Sequence, residues 1–92
     1  MWHVYILKCA DGSLYVGHTC NVPDRVARHN AGRGAFWTAT RYPVTLVYQE
    51  SYDFEADALV REKQIKHWSR AKKQALINKD LNALQEFSKR RR

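Results

Sequence analysis

No apolar run in the chain approaches the ~20 residues that a membrane-spanning helix needs. The start, Met1-Trp2-His3, lacks the charged and apolar regions of a signal peptide, so a cytoplasmic location and no membrane partner are expected. Cysteine is scarce. Cys9 and Cys20 make neither a disulfide framework nor a metal-binding spacing, and both are expected as free thiols in a reducing compartment. No Cys/His cluster has zinc spacing, no Ser-His-Asp arrangement is present, and no glycine-rich loop of the phosphate-cradling kind occurs. There are four glycines and two prolines, without repeats or low-complexity stretches, so each can be given a position and a reason.

What is present points to one folded domain. Ninety-two residues suffice for a single modest core, and a hydrophobic fraction of 45% with 12% aromatics does not fit a disordered chain. The net charge of +7 is unevenly placed. Residues 1–60 carry five Lys/Arg and six Asp/Glu, whereas residues 61–92 carry eleven and three. A basic last third on a near-neutral body attracts polyanions, although a solvated helix surface with a basic end gives the same count.

Local patterning gives the elements. The run from Trp2 to Cys9 is aromatic and β-branched and reads as a strand, as does Ser13 to His18 after Ala10-Asp11-Gly12. A two-residue Asp-Gly turn would put Tyr5 and Tyr15 on opposite faces. A three-residue loop with Gly12 in the left-handed position instead pairs Tyr5 with Gly17 and Tyr15 with Leu7, so both tyrosines share a face. That register is favoured. Asn21 can cap a helix with Pro23 and Asp24 in its first turn, running to about Asn30 and stopping at Gly32. Residues 33–40, including Gly34, read as a loop, and Tyr42-Pro43 leads to a third strand from Val44 to Tyr48 or beyond. Helices are expected near 54–68, near 70–78 and over 81–88, with a frayed basic end at 89–92.

Three placements bear on chemistry. Phe54, Ala58, Ile65 and Trp68 define an apolar stripe, and Glu62 falls inside it. A buried carboxylate is costly unless it meets a cation or dense hydrogen bonding, so Glu62 is a metal ligand, a partner in a structural salt bridge, or a side chain at the stripe's edge. Arg25 and His29 are spaced i, i+4 and project from one side of a short helix. They can hold a phosphate and relay a proton, or be an ordinary surface pair. Tyr5 and Tyr15 with Gly17 across the hairpin are either core phenols or part of a site, and a strand glycine marks a close approach.

Taken in order, these residues resemble the GIY-YIG nuclease family over nearly the whole chain. Val4-Tyr5-Ile6 stands at the first motif and Tyr15-Val16-Gly17 at the second. The second strand and first helix are matched through His18-Thr19-Cys20-Asn21-Val22-Pro23-Asp24-Arg25, then His29-Asn30 and Gly32. Thr38 and Pro43-Val44-Thr45-Leu46-Val47-Tyr48 resemble the third strand and its approach, and Ala58 to Glu62 the helix with the metal-binding glutamate. The length and Trp68-Ser69-Arg70-Ala71-Lys72-Lys73 resemble the small stand-alone bacterial members. Val4 replaces the motif glycine, His18 stands where some relatives have lysine, and His29 where some have tyrosine. For a further polar residue found in some relatives, Gln74 and Asn78 are available.

The resemblance implies an α/β chain of the α+β type, a three-stranded antiparallel sheet flanked by helices, with the site on the tyrosine face. It implies a metal-dependent endonuclease acting on DNA more readily than RNA, with structured or damaged DNA of a repair or recombination role among its substrates. Tyr5, Tyr15, Gly17, Arg25, His29 and Glu62 would form the catalytic set, and Glu62 would bind Mg²⁺ or Mn²⁺. Arg25 would stabilise charge on phosphorus, and Tyr15 would take a proton from water with help from Tyr5 and His29. His18, Arg28, Lys66, Arg70, Lys72 and Lys73 are assigned to substrate contact. Residues 1–80 would be the nuclease domain and residues 81–92 a helical basic extension, in a monomer or weak dimer. The competing functions are a catalytically silent nucleic-acid-binding module and a subunit that docks on a partner nuclease through Trp37, Trp68 and the basic tail.

Overall fold

The computed structural model of the chain describes residues 1–80, in the order β1 (Trp2–Lys8), β2 (Leu14–Thr19), α1 (Val22–Asn30), a 3₁₀ turn (Thr38–Thr40), β3 (Thr45–Tyr52), α2 (Glu55–Lys66) and α3 (Arg70–Ile77). The helix expected over 81–88 and the basic extension lie outside the described residues. Among the described residues no helix is long and apolar enough to cross a membrane.

The three strands form an antiparallel sheet in the order β2-β1-β3. Its register follows from the hairpin loop. Gly12 takes φ 85°, which costs a glycine little, and Cys9 and Ser13 close the three-residue loop through Cys9 N to Ser13 O at 2.8 Å. Asp11 braces it by accepting from the Ser13 amide at 2.9 Å and its hydroxyl at 2.6 Å. Tyr5 therefore faces Gly17 and Leu7 faces Tyr15, as the three-residue loop requires. A bulge after Ile6 inserts Val47 on the β3 side, so that Leu7 pairs with Leu46.

Central β1 is buried on both faces, and this explains why Val4, Tyr5, Ile6 and Leu7 form an unbroken apolar run. Val4, Ile6 and Val16 pack on one face against Ala58 and Ile65 of α2 and Leu76 of α3. Tyr5 and Leu7 pack on the other with Cys9, Val44 and Val26 of α1. The Asn21 carboxamide caps α1 by accepting from the Asp24 amide at 3.1 Å, and Ser69 caps α3 through the Lys72 amide at 3.2 Å. Spacing puts Phe54 in the apolar stripe of α2. It is the N-cap residue instead and is 68% exposed, because the stripe begins only where the helix does.

Two polar ties join the layers. Asn30, at the end of α1, accepts from the Val44 amide at 2.6 Å and donates to its carbonyl at 3.3 Å, fixing the entry to β3. On the opposite face Glu50 accepts from the hydroxyls of Tyr48 and Tyr52 and from Arg61 at 2.7 Å, which links β3 to α2. Burial alone would raise the Glu50 carboxyl, but these three donors override it and hold the carboxyl below its usual range.

Candidate active site

Tyr5, in the middle of β1, is fully buried, and its phenol lies across the α-carbon of Gly17. A Cβ built on Gly17 would sit 2.5 Å from the Tyr5 hydroxyl oxygen and 2.7 Å from the adjoining ring carbon. The strand glycine thus makes room for a phenol. Because the ring is packed on all sides it cannot give way, and Gly17→Ala is expected to lower unfolding free energy by about 1–3 kcal/mol, read from the urea midpoint. An unchanged midpoint would show that the phenol has somewhere else to go.

The Tyr5 hydroxyl lies 3.0 Å from Nε2 of His29, and His29 Nδ1 lies 2.5 Å from the Thr38 hydroxyl. Thr38 donates its single hydroxyl proton to the Ala35 carbonyl at 3.0 Å, so toward His29 it can only accept. This assigns the imidazole proton to Nδ1 and leaves Nε2 to accept from Tyr5. Burial, and then the Arg25 guanidinium, lower the His29 pKa below its ordinary 6.5, in keeping with a neutral ring. The ring also meets the backbone of the following loop: a Cβ on Gly34 would stand 2.1 Å from Nδ1.

Tyr15 completes an aromatic triangle, its ring centroid 6.4 Å from Tyr5 and 5.2 Å from His29. Burial pushes the Tyr5 phenol up to about 12, with Tyr15 and Glu62 adding to the rise and Arg25 opposing it. Tyr15 is also raised, by burial first. Lys66 and Arg25 pull it back, and Glu62 pushes it further up. Arg25 therefore bears on all three rings, as its place one turn before His29 on α1 allows.

Glu62 comes from the other layer. It is 8% exposed, in line with Ala58 and Ile65 beneath the sheet, as the stripe of α2 indicated. One carboxylate oxygen lies 2.6 Å from Nδ1 of His18 and the other 3.0 Å from the Lys66 ammonium, while Nε2 of His18 lies 3.3 Å from Glu55. His18 projects from the face of β2 opposite Tyr15 and Gly17. Because β2 is an edge strand, the carboxylate from beneath can be linked to Tyr15 on the other face around that edge, through Lys66. The Lys66 ammonium lies 5.8 Å from the Tyr15 ring and spans the two halves. The expectation of a site wholly on the tyrosine face holds for Tyr5, Tyr15, Arg25 and His29. For Glu62 it is corrected, since α2 packs on the reverse face and reaches the site at the β2 edge.

The residues assigned to substrate contact separate. His18 and Lys66 belong to the Glu62 cluster. Arg28 is exposed and pairs with Asp24 at 3.2 Å, and Arg70 is exposed at the start of α3. Lys73 is half-buried, with a pKa lowered by burial and then by Lys66. Lys72 is the correction: it is buried, its ammonium 4.1 Å from the centroid of the Trp68 ring, a placement its long apolar stem allows. Sequence reasoning gave no role to Gly34 or to the Thr38 hydroxyl. The available signal was their proximity in sequence to His29, but a loop's path is not written in periodicity.

Among the described residues no three His, Cys, Asp or Glu side chains cluster as metal ligands. Glu62 offers one carboxylate with hard oxygen donors, the kind of ligand Mg²⁺ takes alongside several waters, and a cation there would take over oxygens now facing His18 and Lys66.

A family model described as the GIY-YIG catalytic domain matches residues 1–75. A UPF0213 protein of Staphylococcus haemolyticus is 53% identical over 75 residues, covering 82% of this chain and 92% of its own length. A UPF0213 protein of Halobacterium salinarum is 53% identical over 77 residues, covering 84% of this chain and all of its own. The solution structure of a UPF0213 protein from Bacillus halodurans superposes with a TM-score of 0.56 at 40% identity, covering 87% of this chain and 86% of that one. With the model spanning both tyrosine motifs, the Arg25–His29 helix and Glu62, the chain belongs to the GIY-YIG family, the family of a nuclease domain, alongside the UPF0213 proteins.

Proposed function

We propose that the chain is a metal-dependent endonuclease that hydrolyses phosphodiester bonds in DNA. The observation that carries this reading is the cluster of Tyr5, Tyr15 and His29 rings linked through Lys66 to one buried carboxylate, Glu62. Glu62 would hold Mg²⁺ or Mn²⁺. When bound, the cation supplies positive charge for the phosphate and the leaving oxygen and offsets the Glu62 charge that raises both phenols.

The chain's own groups divide the remaining work. Arg25 can bond two phosphate oxygens at once and stabilise the charge that grows on them. The Tyr5 proton is spent on His29, so toward the site its oxygen can only accept, which suits it to orient a water. No bond from the Tyr15 hydroxyl to protein is present among the described residues, and the charges of Lys66 and Arg25 both favour its phenolate. In this reading Tyr15 takes the water's proton. Contacts of this kind are to phosphate and position the substrate without reading bases, so weak sequence preference is expected.

The test is cleavage of labelled linear, branched and single-stranded DNAs and RNAs with Mg²⁺, with Mn²⁺, and with EDTA. Cutting is expected with metal, to be lost in EDTA and restored by excess cation. Binding without cutting on every substrate and metal would make the chain a silent nucleic-acid-binding module.

A further inference from the structure

The segment between Gly34 and Arg41 holds two exposed aromatic rings beside the site. Phe36 is 97% exposed and Trp37 45%. The indole of Trp37 is nonetheless fixed in place. Its N–H donates to the Ser13 hydroxyl at 3.3 Å, and the Arg41 guanidinium stacks 3.7 Å from its ring centroid. Arg41 is pinned in turn, donating to Asp11 at 3.1 Å and to the Trp37 carbonyl at 2.8 Å. The segment is closed onto the β1–β2 hairpin by Ala10 N to Arg41 O at 2.9 Å. An exposed ring that merely escaped burial needs none of these restraints. A ring held rigid before its ligand arrives loses little freedom on binding.

The segment is also tied to the candidate site. Thr38, fully buried, bonds to His29, and Gly34 lies against the same imidazole. Adjacent α-carbons are ~3.8 Å apart, so the backbone of Phe36 lies within about 8 Å of that of Thr38. Residues 31–41 contain Arg33 and Arg41 and no carboxylate; Arg41 pairs with Asp11 of the hairpin, and Arg33 is exposed. A pinned indole with an exposed phenyl beside it, next to a site read as phosphodiester-binding, matches a nucleobase: aromatic surface for its π-face and the exposed Arg33 for its phosphate. Bases inside an intact duplex are already stacked on their neighbours and cannot offer that face without being unstacked.

We propose that Phe36 and Trp37 form a stacking platform for unpaired nucleobases, so that the site takes nucleic acid with single-stranded or extrahelical nucleotides beside the bond to be cut. The proposal rests on the nuclease reading and narrows its substrate class.

The test is binding, measured in EDTA so that cleavage cannot contribute. A labelled short single strand and the blunt duplex of the same sequence are titrated by fluorescence anisotropy with the native protein, Phe36→Ala, Phe36→Tyr and Trp37→Phe. Phe36→Ala is expected to weaken single-strand binding about tenfold, within the range for loss of one stacked base, and to change duplex binding less than about twofold. Phe36→Tyr keeps native affinity. Single-strand binding quenches indole fluorescence in the native protein and much less in Trp37→Phe. Phe36 is exposed, so its loss does not threaten folding. Equal weakening on both ligands, or none on either, overturns the platform, as does an effect of Phe36→Ala confined to self-association. Cutting with Mg²⁺ that persists while Phe36→Ala binds both ligands as the native protein does would retain the nuclease reading and discard the platform. Single-strand preference that depends on Phe36, with no cutting under any metal, would do the reverse.

Discussion

Glu62→Gln is expected to lower single-turnover cleavage by about 10³-fold or more while leaving folding and DNA binding nearly intact. A metal-held charge at the reacting phosphate supplies several kcal/mol, and each 1.4 kcal/mol is about a factor of ten in rate. Glutamine matches the shape of glutamate and keeps an oxygen to accept from His18, but it lacks the charge that binds a cation. Its cost to stability is small. It gives up the i, i+4 ion pair with Lys66, whose side chain is 44% exposed and can turn to solvent, and keeps an acceptor for His18. Binding should hold or improve, because a negative charge has left a surface that receives phosphate. Anisotropy in EDTA and a urea melt check both points. If cleavage, binding and stability fall together, the Glu62–His18–Lys66 cluster is a structural tie, the alternative that its burial in an apolar stripe left open. Unchanged cleavage would remove Glu62 from the chemistry altogether.

Much of this site was legible because it rests on local rules. The Ala10-Asp11-Gly12 loop sets the hairpin register, and the register alone brings Tyr5 to Gly17 and both tyrosines to one face. The i, i+4 spacing of Arg25 and His29 and the misplaced carboxylate at Glu62 are equally local. The choice of sheet face for each helix was not legible. β1 is apolar on both sides, so its pattern does not say that α1 covers the tyrosines and α2 the reverse, and a site drawn wholly on the tyrosine face misses the layer from which Glu62 comes. Helical periodicity run past the true cap placed Phe54 in a core it does not enter. Charge counting could not show that Lys72 packs along Trp68. Thr38 and Gly34 matter through the path of a loop, and such a path is set by the partners it meets.

Tyr15→Phe is expected to slow cleavage by about 10²–10⁴-fold, the usual worth of a positioned base, and to change the form of the pH profile as well as its height. Burial raises the Tyr15 phenol above its ordinary 10.0, so at neutral pH it is mostly protonated and the native rate should climb with pH. Phenylalanine removes that climb. The acid side has a different origin. His29 has a folded pKa below 6.5, whereas the unfolded chain takes up a proton near 6.5, so the stability it contributes is fully present above that value and lost as pH falls through the folded pKa. Protonated His29 would carry N–H on both nitrogens and could no longer accept from Tyr5. The acid limb should therefore survive in Tyr15→Phe and shift in Tyr5→Phe, which is expected to cost only about tenfold in rate, because Tyr5 orients a water that Tyr15 deprotonates. Rate–pH profiles of the three proteins under single-turnover conditions separate these roles. A steep alkaline rise that persists in Tyr15→Phe would transfer the base to another group. A larger loss in Tyr5→Phe than in Tyr15→Phe would exchange the two phenols, and the His29–Thr38 relay behind Tyr5 would then become the path for the proton.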